Sequence, residues 1–143
     1  MANIDRADWH YGGDFPEGLP HENGGTHIGV YLAWVILNDQ ASDELRDLAG
    51  EDLELCKSRK ITGRTLLFKN LDEKFWGRLL TDECQAFTDT YYETNQYFDD
   101  YAHALGLDGN TLYTAADSWE NYDKVARLVT ERFVAWRDKQ GGA

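Results

Sequence analysis

The sequence predicts an all-α domain of four to five helices packed around a buried central helix at about residues 27–38, with an irregular N-terminal arm. Three observations lead there. A twelve-residue run, His27 to Asn38, is apolar on nearly all sides, and a helix without a polar face is normally buried. Downstream, apolar residues recur at spacings of three, four and seven, which is the helical period. Residues that favour helix N-caps stand before each periodic stretch. The 143 residues fit a single domain, divided into an ordered arm (1–25) and a helical body (26–140).

The arm is punctuated by Gly12-Gly13, Pro16, Gly18, Pro20 and Gly24-Gly25 and carries no sustained period, so it reads as an ordered loop. Trp9, Tyr11, Phe15 and Leu19 are placed to pin it to the body. Thr26 is the expected N-cap of the central helix. Ser42 caps a more polar segment that Gly50 interrupts, and Thr62 caps a short helix through Leu66, Leu67 and Phe68. Residues 71–80 read as a short helix or a tight connection. Thr81 then opens one long helix, with Asp82 and Glu83 suited to its first turn and Gly106 as its stop. Cys84, Phe87, Tyr91, Phe98, Ala102 and Leu105 form its apolar face. Asp117 or Ser118 caps the last helix, Asp117 and Glu120 having the capping-box spacing, and Gly141-Gly142 ends it.

Charge sets the functional expectation. The chain has 26 acidic and 14 basic residues, a net charge of −12. Ten of the acids lie in Leu79–Asp123, a stretch without one Lys or Arg; the remainder of the chain balances at 16 against 14. Such a surplus disfavours nucleic acid and anionic membranes and favours a basic protein partner. On an unbroken helix, Asp82, Asp89, Glu93 and Asp100 share the face opposite the apolar one, with Tyr92 and Tyr97 on its flanks. Unrelieved like charge beside tyrosine predicts a partner-binding surface built from these six residues. Its bland counterpart is a solvated helix face.

Catalytic motifs are missing: there is no GxSxG, no P-loop and no GxGxxG following a strand. Cys56 and Cys84 lack metal-ligand spacing and read as reduced core thiols of a cytoplasmic protein; no secretion signal or membrane-spanning run is visible. A non-enzymatic binding protein without cofactor or metal is therefore expected. One alternative places a small ligand or metal, or an enzyme site, on the arm, where His10, Asp14 and His27 converge near the central helix. A second is a homo-oligomeric structural or regulatory protein.

The arm also carries a distinctive pattern: Trp9-His10-Tyr11-Gly12-Gly13-Asp14-Phe15-Pro16, Leu19-Pro20, Glu22-Asn23-Gly24-Gly25-Thr26-His27-Ile28-Gly29 and Leu32-Ala33-Trp34. Further points of likeness are Ser58 to Gly63, Tyr91-Tyr92, Trp119 to Asp123 and Arg132-Phe133 with Ala135-Trp136. The chain thus resembles a family of small, acidic, single-domain bacterial proteins with no assigned activity. Proteins of that kind look like the immunity proteins that accompany polymorphic toxins. The resemblance implies a cytoplasmic antidote that covers a basic toxin domain, and it supplies no catalytic residue.

Overall fold

A computed structural model describes residues 3–13, 15–109 and 111–141. The described residues are mostly helical, with one small two-stranded sheet. Strand β1 (Asn3–Arg6) leads into α1 (Ala7–Tyr11). A 3-10 turn at His21–Gly25 precedes α2 (Thr26–Leu37), followed by α3 (Asp43–Ala49), α4 (Glu51–Lys57) and α5 (Gly63–Asn70). Strand β2 (Lys74–Trp76) then pairs antiparallel with β1, opposing Asp5 to Phe75 and Arg6 to Lys74. Helices α6 (Asp82–Tyr91), α7 (Gln96–Leu105) and α8 (Trp119–Gly141) complete the chain.

Helix α2 is buried over every residue from Thr26 to Ile36, as its all-apolar sequence requires. Burial of Ile28, Leu32 and Ile36 stabilises the fold by about 2 kcal/mol each. The large polar-tipped rings of this core each find a partner. Trp34 Nε1 donates to Thr130 Oγ1 at 3.0 Å, the Tyr31 hydroxyl lies 2.8 Å from Thr88 Oγ1, and Tyr97 donates to the carbonyl of His27 at 2.6 Å. Helix α2 meets α5 at Gly29 and Gly63, where a Cβ on Gly63 would overlap the Gly29 carbonyl and a Cβ on Gly29 would overlap the backbone of Arg64.

Four expected caps form: Ser42, Thr62, Thr81 and Ser118 accept from the backbone N–H groups of Leu45, Thr65, Cys84 and Asn121. Two do not. Thr26 is already helical, and its hydroxyl accepts from Arg64 at 3.1 Å. Asp117 accepts from Thr62 and pairs with Arg64, leaving Ser118 as the cap of α8. That helix runs to Gly141, and Gly142 lies outside the described residues.

The expected long helix from Thr81 is two helices. The amides of Tyr92 and Glu93 both bond the Thr88 carbonyl, and Asn95 takes the left-handed conformation (φ 69°) before α7 begins. Asparagine tolerates this backbone better than other residues with a side chain. The arm also differs from expectation, since it contains β1 and α1. A four-residue strand whose partner lies some 70 residues away leaves no local period to read.

Gly63→Ala is expected to lower stability by about 3 kcal/mol, because backbone stands on both sides of the overlap. Urea unfolding measures it as a lower midpoint at unchanged slope. Gly109→Ala, which meets nothing within 4 Å, serves as the control and should leave the midpoint in place.

Candidate functional site

The arm is held against α2 by glycine. A Cβ on Gly24 would stand 3.1 Å from the Ala7 carbonyl, and one on Gly25 would stand 2.5 Å from the Phe68 ring. Close packing at this pair brings α1 onto the first turn of α2. The turn between β1 and α1 then points Asp5 and His10 at His27.

Three side chains converge there. His10 Nε2 lies 2.7 Å from Asp5 Oδ1, and His27 Nε2 lies 3.0 Å from Asp5 Oδ2. The two Nε2 atoms are 3.2 Å apart, with the rings at 83° to each other. Asp5 and His27 are buried, and His10 is partly so. Each of the two arm ligands is braced from behind. Tyr92 donates its hydroxyl to Asp5 Oδ2 at 2.6 Å, and the Arg6 N–H donates to Oδ1 at 2.8 Å. Tyr113 holds His10 Nδ1 at 2.6 Å.

The electrostatics favour an ionised aspartate, while burial works against charge on His27. Burial by itself would raise the Asp5 pKa, but hydrogen bonds from His10 and His27 and their charge outweigh it and hold the carboxyl well below the usual range. Burial pushes the His27 pKa down, against the opposing pull of Asp5. Asp5 and His10 also line an open cleft of about 300 Å³ with Ile4, Tyr92, Glu93, Asn95 and Phe98.

Among the described residues, Asp5, His10 and His27 are the group of His, Cys, Asp and Glu whose ligand atoms, all within 4.8 Å of one another, could hold a metal ion. Of the expected arm site, His10 and His27 come together as anticipated; Asp14 lies outside the described residues. The carboxylate that joins the two histidines is Asp5, which sequence reasoning passed over together with Tyr113. Its one signal was proximity to His10, five positions further on in a segment read as loop.

The expected partner-binding residues divide. Asp82, Asp89 and Glu93 are exposed. Tyr92 and Tyr97 are buried at 2 % and 0 % exposure, Tyr92 reaching Asp5 and Tyr97 reaching α2, so neither flanks an outer stripe. Asp100 is buried as well, accepting from Tyr91 at 2.7 Å and from Arg132 at 3.0 and 3.1 Å. Two of these departures, at Tyr97 and Asp100, share one cause, whereas Tyr92 precedes the break and is buried where its hydroxyl reaches Asp5. The break at Asn95 rotates α7 relative to α6, so positions after it no longer follow the helical phase of those before it. The lack of bases in Leu79–Asp123 is also made good in three dimensions, since Arg137, Arg132, Arg64 and Arg59 pair with Glu83, Asp100, Asp117 and Asp123.

No helix among the described residues is long and apolar enough to cross a membrane. No curated protein and no solved structure matches the chain. A family model does match, over residues 3–115, a span that holds Asp5, His10, His27, Tyr92 and Tyr113. The chain belongs to the family described as a domain of unknown function, DUF7832.

Proposed function

We propose that Asp5, His10 and His27 bind a divalent first-row transition metal ion and that the protein acts through this centre. The observation that carries the reading is the placement of two histidine Nε2 atoms 3.2 Å apart, both directed at one carboxylate. In the tautomers that place an N–H on both Nε2 atoms for Asp5, two donors face each other, a conflict that a metal in their place would remove. A metal at the usual ligand distance of about 2.1 Å sets cis or tetrahedral nitrogen ligands roughly 3.0–3.4 Å apart, which matches the spacing. Two histidines and one carboxylate suit iron, zinc, manganese or cobalt and leave coordination positions open. Bracing of the ligands by Tyr92, Tyr113 and the Arg6 N–H is the outer hydrogen bonding that such centres need. The open positions would face the cleft that Asp5 and His10 line, so the ion is available to an external ligand as Lewis acid or redox centre.

Isothermal titration of the chelator-treated protein with Zn²⁺, Mn²⁺ and Co²⁺, and anaerobically with Fe²⁺, is expected to give one site per chain. Asp5→Ala and His27→Ala should each weaken binding at least ~100-fold, and His21→Ala should leave it unchanged. Circular dichroism confirms that the variants fold. Binding no tighter than millimolar, or equal binding by the variants, would rule the centre out.

A second reading rests on Asp82, Asp89 and Glu93, which are exposed and, among the described residues, form no ion pair. These three acids support a non-enzymatic, cytoplasmic immunity-type role in which they meet a basic toxin domain. Reversing all three to lysine should slow association with a cognate basic domain at least ~10-fold at low salt. An unchanged association rate by stopped-flow fluorescence removes this surface from consideration.

A further inference from the structure

The cleft beside the metal position has walls of definite chemistry. Asp5 and His10 form its floor, Ile4 and Phe98 supply apolar surface, and the Glu93 carboxylate and Asn95 amide supply polarity. The Tyr92 hydroxyl is already committed to Asp5. An independent feature concerns Glu93. Its carboxyl stands beside that of Asp89, and partial desolvation followed by the Asp89 charge and contact raises its pKa. Glu83, Asp100, Asp117 and Asp123 each have an arginine, whereas Asp89 and Glu93 have no basic partner among the described residues. The Glu93 carboxylate, which lines the cleft and has no basic partner among the described residues, marks a place for a positive charge.

We infer that the cleft binds a small ω-amino carboxylate, or an amino acid of similar shape, with its carboxylate on the metal and its ammonium group against Glu93. The hydrocarbon portion then lies on Ile4 and Phe98. The coordinating end rests on the metal reading above; the ammonium end rests on the place of Glu93 in the cleft lining. Phosphorylated ligands are disfavoured by the same carboxylates and by a net charge of −12.

The test uses the Co²⁺-loaded full chain and follows the visible cobalt spectrum. Propionate, butyrate and pentanoate are titrated beside β-alanine, 4-aminobutyrate and 5-aminopentanoate, and equilibrium dialysis verifies that cobalt stays bound. At least one amino compound should bind about tenfold tighter than its parent acid, the scale of one charge-assisted hydrogen bond. Glu93→Gln should erase that margin while leaving the parent acid and cobalt affinities unchanged. Equal affinity within every pair, or a margin that survives Glu93→Gln, overturns the inference with the metal centre intact. A chain that takes up no cobalt fails earlier, at the metal reading, and overturns the inference with it.

Discussion

The Asp5 carboxylate is the point on which the N-terminal third of the fold depends. It receives His10 and His27 on separate oxygens, the Tyr92 hydroxyl, and the N–H of Arg6. Those donors come from α1, α2, the end of α6 and β1, so a single side chain ties four segments together. A buried carboxylate is costly unless its lone pairs are filled, and here the local donors Arg6 and His10 are joined by the distant His27 and Tyr92. The strand pairing of Asp5 with Phe75 and the glycines at 24 and 25 hold the backbone in place for this convergence. The proposed metal centre would account for the approach of the two ring nitrogens to 3.2 Å.

The aromatic residues of the acidic stretch serve the same construction. Tyr92 and Tyr97 stack at 4.9 Å between ring centroids and surround Tyr31 on α2. Their hydroxyls bond the Asp5 side chain and the His27 carbonyl, so both reach the candidate centre from its inner side. Burial raises both phenol pKa values well above the ordinary range, which keeps the two groups as neutral donors. A break between α6 and α7 is what permits this, because a continuous helix would carry Tyr97 away from α2.

Several features were legible in the amino-acid order because their causes are local. The burial of α2 follows from a run without a polar face, and Ser42, Thr62 and Thr81 cap helices through bonds that span three residues. The break at Asn95 was not legible. Tyr91 and Phe98 are seven apart, so the apolar pattern runs through the break as though the helix continued. The histidines of the candidate site stood out by residue type, whereas Asp5 is one of 26 acids and acquires its meaning only when β1 finds β2. Neutralisation of the acidic stretch was hidden for a similar reason, its arginines lying on α5, on α8 and in the turn after α4.

Those arginines change what the surplus of negative charge means. As a stretch of sequence it looked like one continuous field awaiting a basic surface. In the folded chain, Asp100 and Arg132 form a partly buried, bidentate pair that fastens α7 to α8, and Glu83 with Arg137 joins α6 to α8. Charges used this way stabilise the helix packing and are withdrawn from recognition. One of the acids left over, Glu93, lines the cleft that Asp5 and His10 share. On the proposed metal reading, proximity to the Asp5–His10–His27 cluster gives that residual charge a role that a general acidic surface does not. A divalent metal held by one carboxylate and two neutral imidazoles would keep a net positive charge, and Glu93 places negative charge on the lining of the same cleft. A ligand suited to both is itself dipolar, and the distribution of charge along the cleft selects its orientation as well as its class.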